Sequence, residues 1–244
     1  MDIQVSQKNL YTTDKDGIYE RNFVKTDLEK IQDEADYEYI TSHRKVYLFV
    51  KRMMDVVCSL IALVILSPVF LITTLAILFD SGRPIFFIQK RTGYLQKEFN
   101  MIKFRSMCRE APDLHKFLLH QNEADGPVFK IKKDPRITKV GYFIRRTSID
   151  ELPQLINILK GEMTIVGPRP IATYESKNMN SYQRFRTLAK PGLTCYWQCN
   201  GRNDVSFDHW MEMDLRYIRE ASLWVDIKII LKTIRTVLLG SGAY

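Results

Sequence analysis

The chain has 244 residues, a formal net charge of +8 and four cysteines. This length suits one sizeable domain with an additional segment, and four cysteines do not make a disulfide framework in a chain of this size. The charge is uneven, with a net of −3 in residues 1–45 and a net of +11 in the remainder. A basic body indicates an anionic partner. Because no RNA- or DNA-binding motif is present, we expect phosphate groups of lipids or nucleotides and no nucleic acid.

Residues 1–45 form a polar N-terminal segment, with a helix predicted over 27–39. The segment contains no apolar run of the kind found in secretory signals, so we expect the bulk of the protein to face the cytoplasm.

The next segment, residues 56–79, contains 24 residues without a formal charge. A straight helix of that length runs about 36 Å, enough to cross a hydrocarbon core of about 30 Å. However, Ser67-Pro68 lies at its middle, and proline breaks a helix interior. Both flanks are also basic, which favours a cytoplasmic position for both ends. The residues therefore leave two alternatives open, a spanning helix and a re-entrant helix-break-helix hairpin.

Two short extended runs follow, at 84–87 and 99–107, with a polar turn predicted between them at 89–93. Lys103 and Arg105 flank a phenylalanine in the second run, so in a strand both would face one side. This pair is either a solvated strand face or a phosphate-binding pair.

Three helices are predicted further along the chain, at 111–122, 148–159 and 223–239. The second has an apolar stripe and should end before Gly161, because glycine commonly ends helices. The third is amphipathic and basic, so it either lies in a membrane interface or packs on the core with a solvated edge.

The acidic pair Asp150-Glu151 opens the second of these helices. Ser148 and Glu151 fit a capping box, which would make the pair structural. Adjacent helical residues point about 100° apart, so the two carboxylates cannot face each other as a dyad. They can divide the work, with one carboxylate attacking while the other holds a cation.

Arginines surround this pair in the sequence. Arg145 and Arg146 precede it, and Arg169 lies between two prolines that restrict its backbone. Arginine matches phosphate oxygens in pairs, so the region suits chemistry on a phosphorylated substrate.

Several motifs together resemble the bacterial sugar transferase family, the monotopic polyprenyl-phosphate phosphoglycosyl transferases. They are Ser-Pro at 67–68, Lys-Phe-Arg-Ser-Met at 103–107, Asp-Pro-Arg-Ile-Thr at 134–138, Arg-Arg-Thr-Ser-Ile-Asp-Glu-Leu-Pro-Gln at 145–154 and Gly-Pro-Arg-Pro at 167–170. The resemblance extends from about residue 45 to residue 244. It implies an α-rich α+β fold with interfacial amphipathic helices, a re-entrant hairpin at 46–80 broken at Ser67-Pro68, and a cytoplasmic catalytic domain at 81–244. It also implies a location at the bacterial cytoplasmic (inner) membrane.

The resemblance further implies a reaction between a UDP-sugar and polyprenyl phosphate. Asp150 matches the family's nucleophile and Glu151 its magnesium-associated glutamate, so Mg²⁺ is the expected cofactor. The expected phosphate-binding residues are Lys103, Arg105, Arg136, Arg145, Arg146, Arg169 and Arg202. Lys51 and Arg52 are expected at the lipid head group, and an oligomer is possible.

Two other functions compete with this interpretation. A non-catalytic membrane adaptor would bind anionic lipid through the basic surface and would tolerate Asp150→Asn. A phosphatase would use Asp150 toward water, but the Asp-x-Asp pattern of that chemistry is missing from the sequence around it.

Overall fold

The structure is a computed structural model that describes residues 12–13, 19–20, 44–123, 125–200 and 205–238. The chain divides into two compact units, Met1–His43 and Arg44–Tyr244. In the first unit, two short strands, β1 (Thr12–Thr13) and β2 (Tyr19–Glu20), pair antiparallel. The helix predicted over 27–39 lies outside the described residues.

The second unit is rich in helices and contains short strands. Its helices are α1 (Lys45–Ile65), α2 (Ser67–Ser81), α3 (Ala111–Leu118), α4 (Lys139–Arg146), α5 (Gln154–Lys160), α6 (Thr173–Ser176), α7 (Ser181–Arg184), α8 (Tyr196–Cys199), α9 (Phe207–Glu220) and α10 (Leu223–Leu238). Its strands are β3 (Phe86–Thr92), β4 (Glu98–Phe104), β5 (Thr164–Val166), β6 (Ile171–Ala172) and β7 (Gly192–Thr194). The predicted α-rich α+β fold is confirmed.

Helices α1 and α2 form a bent pair, broken at the predicted position. Pro68 lies in the first turn of α2, where a missing N–H is tolerated, and the Ser67 hydroxyl donates to the Val64 carbonyl at 2.8 Å. The two helices are bent by 60°. No single helix among the described residues is long and apolar enough to cross a membrane, whereas the bent pair meets those criteria of length and composition together.

The side chains of α1 reverse the usual distribution of a water-soluble helix. Lys51, Asp55 and Ser59, each four residues apart, are buried. On the other side Val64 is 73% exposed and Ile65 is 69% exposed. A soluble helix buries its apolar stripe, whereas α1 turns polar groups toward the protein and apolar groups outward.

The main sheet has the order β4-β3-β6, with antiparallel pairing throughout. The polar turn predicted at 89–93 is wrong, because β3 continues to Thr92 and the chain turns at Tyr94–Gln96. The polar residues stay in the strand because they find partners there. Arg91, for example, donates to the Pro170 carbonyl at 3.2 Å.

The helix predicted over 148–159 begins later than expected. Ile149–Glu151 form a 3₁₀ turn, and α5 starts only at Gln154. The predicted capping box is also wrong, since Ser148 has a φ of 58° and its side chain makes no capping hydrogen bond. The predicted end is confirmed, because Gly161 terminates α5 with a φ of 84°.

Buried Asn157 attaches α5 to β4. Its side-chain oxygen accepts from the N–H of Ile102 at 3.0 Å, and its amide nitrogen donates to the carbonyl of Asn100 at 2.8 Å. The surrounding core is apolar and consists of Phe99, Met101, Leu155, Ile158 and Met163. This attachment places the turn that carries the acidic pair beside the strand that carries Lys103.

Candidate functional site

A cleft of about 1310 Å³ opens beside the acidic pair. Residues of β3, β4, α6, α8, α9 and α10 contribute to its walls. The predicted site residues that line it are Lys103, Arg105, Arg136, Arg145, Asp150, Glu151 and Arg169. The fold thus gathers cations and carboxylates from distant parts of the sequence around one space.

The acidic pair is presented by a tight connection between α4 and α5. Ser148 adopts a left-handed backbone conformation, which is uncommon for a residue with a Cβ and often marks a functional constraint. The preceding helix lies very close to the segment after β4. A Cβ on Gly141 would sit 1.9 Å from the Ser106 carbonyl oxygen, so only glycine fits there. This close approach holds α4 in place and fixes the position from which the turn departs.

Glu151 is held by two cations. Its Oε1 accepts from Lys103 Nζ at 2.9 Å and from Arg169 Nη2 at 2.8 Å, and its Oε2 accepts from Arg169 Nη1 at 3.3 Å. Burial alone would raise the pKa of Glu151, but the charges and hydrogen bonds of Arg169 and Lys103 outweigh it and hold that pKa well below its usual value. Glu151 is therefore ionised and fixed in direction.

Asp150 has a different environment from its neighbour. It is 8% exposed, and within the described residues its carboxylate receives no hydrogen bond. Burial raises the pKa of Asp150; the Lys103 ammonium partly offsets this, while the Glu151 carboxylate adds to it. The carboxylate of Asp150 is thus left without hydrogen bonds beside the cleft, as expected of a group that must meet a substrate atom.

Arg169 is constrained at both its backbone and its side chain. Prolines flank it on each side, and its carbonyl accepts a 2.6 Å hydrogen bond from Arg186 Nη2. Two of its guanidinium nitrogens donate to Glu151. Because a guanidinium carries five N–H donors, further donors remain for a phosphate.

Two predicted phosphate ligands have partners within the protein. Arg105 is 5% exposed, and its guanidinium donates to the backbone carbonyls of Ser81, Gly82 and Arg83 at 2.7–3.1 Å. These contacts bind Arg105 to the C-terminal end of α2, whereas Lys103 donates to Glu151. The two cations therefore do not form the phosphate-binding pair that their spacing on the strand predicted.

Arg136 is buried and forms an ion pair with Asp134. Its Nε and Nη2 lie 2.8 and 2.5 Å from the two carboxylate oxygens. The guanidinium also lies over the ring of Phe129, with 5.3 Å to the centroid. Arg136 therefore shapes a wall of the cleft while its charge is already matched.

The remaining arginines differ in position. Arg145 is half-buried, lines the cleft, and acts on the carboxylate of Asp150 through its charge. Arg146 is exposed and lies outside the cleft lining. Arg202 lies outside the described residues, so its assignment to the nucleotide stays a prediction.

The cations predicted at a lipid head group are instead bound within the protein. Lys51 is buried, with its Nζ 2.7 Å from Asp226 Oδ2. Arg52 donates to the carbonyls of Ile158 and Leu159 at 2.6 and 2.8 Å, at the C-terminal end of α5. The head-group prediction is at odds with both positions, because one charge is neutralised and the other completes a helix end.

Arg91 is a cleft residue that the sequence did not single out. It lies on β3, donates to the Pro170 carbonyl, and its Nη1 is 4.0 Å from Glu175 Oε2. A predicted strand that continued through Thr92 would have identified Arg91, because it would have placed this residue on the sheet rather than in a turn. Its contacts brace the segment that carries Arg169.

The acidic pair is compatible with Mg²⁺. No cluster of three or more His, Cys, Asp or Glu residues is found in the part of the chain that is described. Mg²⁺ does not need one, since it commonly uses one or two carboxylates together with substrate phosphates and water. From the described residues Asp150 receives no hydrogen bond on its carboxylate, and Glu151 Oε2 has only a 3.3 Å contact, so the pair retains oxygen lone pairs for a cation.

Comparisons with known proteins give a consistent result. A profile of the family described as "Bacterial sugar transferase" matches residues 46–240. The galactosyl transferase CpsE of Streptococcus agalactiae serotype III (strain NEM316) is 45% identical over 88% of this chain and 49% of the relative. The undecaprenyl-phosphate galactose phosphotransferase of Salmonella typhimurium (strain LT2) is 41% identical over 86% of this chain and 47% of the relative.

The chain thus spans about half the length of these two relatives. A different relative is matched over most of its length: the exopolysaccharide production protein ExoY of Sinorhizobium fredii (strain NBRC 101917 / NGR234) is 39% identical over 80% of this chain and 88% of the relative. With the profile covering most of the chain, the conclusion follows that this protein belongs to the bacterial sugar transferase family.

Proposed function

We propose that this protein is a phosphoglycosyl transferase that moves a sugar 1-phosphate from a UDP-sugar to polyprenyl phosphate and releases UMP. The observation that carries the proposal is the asymmetry of the acidic pair. Glu151 is fixed by two cations, whereas the neighbouring carboxylate of Asp150 is buried beside the cleft and has no hydrogen bond from the described residues. One group is held and the other is left to react.

The chemistry proceeds in two displacements. An Asp150 carboxylate oxygen forms a bond to the β-phosphorus of the UDP-sugar while the bond from that phosphorus to the bridging oxygen breaks, and UMP leaves with the electron pair. A phosphate oxygen of polyprenyl phosphate then attacks the same phosphorus, releasing Asp150 as a carboxylate and giving a polyprenyl-diphosphate sugar. This is covalent catalysis with ping-pong kinetics.

The cations beside the acidic pair stabilise the negative charge that develops at the transferred phosphoryl group. Arg169 and Lys103 lie within hydrogen-bond distance of Glu151 and line the same cleft as Asp150. Fixed donors in a site shielded from water stabilise a transition state without reorganising. Mg²⁺, held by Glu151 with Asp150 close by, would supply charge neutralisation of the diphosphate.

The bent helix pair suits a re-entrant membrane hairpin. Side chains of α1 bind the body as far as Asp55, and the ten residues beyond it rise about 15 Å, half of a hydrocarbon core of about 30 Å. The exposed apolar side chains among them are Val57, Leu60, Ile61, Val64 and Ile65, whereas Ala62 and Leu63 pack against the core. We therefore propose that this segment enters one leaflet and returns, with the cleft at the cytoplasmic face of a bacterial inner membrane.

Helix α10 suits the membrane interface. Trp224, Ile227, Leu231 and Ile234 are between 40% and 64% exposed on one side of the helix, with basic residues interspersed. Apolar residues beside cations are typical of helices that lie among lipid head groups.

The donor sugar is narrowed by the relatives. The Salmonella relative is named for galactose, and two further relatives, from Aeromonas hydrophila and Komagataeibacter xylinus, are named for N-acetylgalactosamine and glucose. We therefore place UDP-galactose, UDP-glucose and UDP-N-acetylgalactosamine first in a donor panel, and assign the product to assembly of an exopolysaccharide or capsule.

UMP release by the protein in nanodiscs tests the proposal. Each UDP-sugar is supplied with Mg²⁺, with and without undecaprenyl phosphate, to wild type, to Asp150→Asn and to Asp113→Asn. Asp113 is an exposed carboxylate on α3, outside the cleft lining, and matches the change in charge. Acceptor-dependent release of UMP that survives in Asp113→Asn and vanishes in Asp150→Asn is the expected result.

The donor's β-phosphorus can also be followed onto the protein. With labelled donor and no acceptor, wild type should retain label covalently and Asp150→Asn should not. Equal UMP release by wild type and Asp150→Asn would exclude Asp150 as the nucleophile. No release from any donor, with lipid binding intact, would favour the membrane adaptor.

A further inference from the structure

Arg169 is the first member of a stack of four side chains behind the candidate site. Its guanidinium carbon lies 5.6 Å from the ring centroid of Trp197. Trp197 stacks on Trp210 with ring centroids 4.5 Å apart and an interplanar angle of 18°. The guanidinium of Arg186 covers Trp210, 5.1 Å from its centroid. Two cations therefore enclose two parallel indole rings.

The stack closes into a ring through the backbone. Arg186, at its far end, donates to the carbonyl of Arg169 at 2.6 Å. Arg186 is also paired with Asp214, with Nη2 and Oδ2 2.6 Å apart and side chains 4% and 0% exposed. Arg169 is thus held at its carbonyl and at the face of its guanidinium by one connected set of side chains.

Stacking suits a guanidinium that must also bind an anion. The face of an aromatic ring attracts a cation, and a stacked guanidinium keeps its N–H groups in plane and free to donate. The edge of Arg169 then meets Glu151. An arginine side chain in water samples many rotamers, whereas the stack restricts Arg169 to few of them.

We propose that Trp197 is a positioning residue that fixes the guanidinium of Arg169 for the substrate phosphate and for Glu151, with Trp210, Arg186 and Asp214 as its support. The role of Trp197 toward the substrate phosphate rests on the proposed function, whereas the stacking of Trp197 on Arg169 does not. Trp197 lines the cleft together with Arg169 and Trp210.

A binding cycle tests whether Trp197 acts through Arg169. The affinity for UMP is measured for wild type, Trp197→Leu, Arg169→Ala and the double variant. We expect Trp197→Leu to weaken UMP binding about tenfold, equivalent to about 1.4 kcal/mol, and to cause no further loss when Arg169 is already alanine. Trp197→Phe, which restores an aromatic face, should recover binding to within about threefold of wild type, as expected for a cation–π contact.

Tyr196→Leu is the matched control, because it removes the neighbouring ring on α8, which contacts Tyr217 and Glu220 instead. It should lower stability and leave UMP affinity unchanged. Equal losses from Trp197→Leu in both Arg169 backgrounds, or no loss in either, would overturn the proposal, since a merely structural tryptophan gives no such coupling.

Fluorescence tests the stack without any ligand. The chain has three tryptophans, so Trp210→Phe with Trp224→Phe leaves Trp197 as the sole emitter. Arg169→Ala in that background should increase acrylamide quenching, because the guanidinium no longer covers the ring, and unchanged quenching would overturn the proposal. If wild type neither binds nor releases UMP, the proposed function fails. The quenching measurement still shows whether Arg169 stacks on Trp197.

Discussion

Replacing Lys51 with methionine should destabilise the body of the protein and leave its lipid binding largely intact. The Lys51 ammonium is 2.7 Å from Asp226 Oδ2, and both residues are buried, at 7% and 0% exposure. The variant keeps the side chain's length and apolar stem but removes the charge, so Asp226 remains buried without its cation.

The structure sets the size of the expected effect. Removing one partner of a buried ion pair costs about 3–5 kcal/mol. The hydroxyls of Tyr47 and Tyr217 still donate to Asp226 at 3.0 and 2.8 Å, which places the loss at the lower end, about 3 kcal/mol. For a domain of this size that lowers Tm by about 6–12 °C.

The assay is thermal unfolding in nanodiscs, with Asp226→Asn and the double variant completing a cycle. The double variant should lose less than the sum of the two single variants, because it leaves no unpaired charge whereas each single variant does. Lys45→Met is the control, since Lys45 is an exposed cation at the start of α1.

Two results would refute this reasoning. A Tm change in Lys51→Met no larger than in Lys45→Met would mean that the buried pair contributes little. Weaker binding to anionic vesicles at an unchanged Tm would return Lys51 to the lipid head group.

Three further predictions concern the body of the protein. Arg105→Met should lower Tm by several degrees and leave UMP affinity unaffected, because its side-chain hydrogen bonds go to three backbone carbonyls and the Ser81 hydroxyl at the end of α2. Gly141→Ala should cost about 1–3 kcal/mol or more, since its Cβ would meet the Ser106 carbonyl oxygen. Burial raises the pKa of Asp214 to about 6 from the usual 3.8. The native state then binds this proton more tightly than the unfolded chain, so the contribution of Asp214 to stability falls as pH rises from about 4 to about 6. Asp214→Asn should flatten that part of the Tm profile.

Each of these has a distinct contrary outcome. Weaker UMP binding by Arg105→Met at an unchanged Tm would restore Arg105 as a phosphate ligand. An unaltered Tm in Gly141→Ala would show that α4 can move away from the segment after β4. A pH slope that persists in Asp214→Asn would belong to another group.

Elements with local signals were predictable from the sequence. The break at Ser67-Pro68 and the end of α5 at Gly161 follow from the backbone limits of proline and glycine. The helices at 111–122 and 223–239 correspond to α3 with its following turn and to α10, because apolar periodicity extends over several turns in each. The candidate site was predicted at the acidic pair for a different reason, since that pair stands in a long motif that resembles the family, and its catalytic role stays a prediction.

The partners of the charged residues were not predictable in the same way. Lys103 and Arg105 are two residues apart, yet one reaches a carboxylate and the other reaches helix carbonyls. Sequence spacing gives the side of a strand but not what packs against it. Ser148 shows the same limit, because the local capping pattern yields to a left-handed turn that the surrounding packing imposes.

In the proposed re-entrant arrangement, the attachment of α1 to the body determines which properties of the bilayer affect its insertion. About 16 Å of helix, from Arg44 to Asp55, is bound by side chains to the body. Under that proposal, the apolar part beyond it acts as a wedge in a single leaflet. Its insertion should depend on the lateral pressure and spontaneous curvature of that leaflet and respond little to the acyl-chain length that sets total thickness. Any tilt of the wedge would also rotate the mouth of the cleft relative to the head groups, where the proposed acceptor phosphate would arrive.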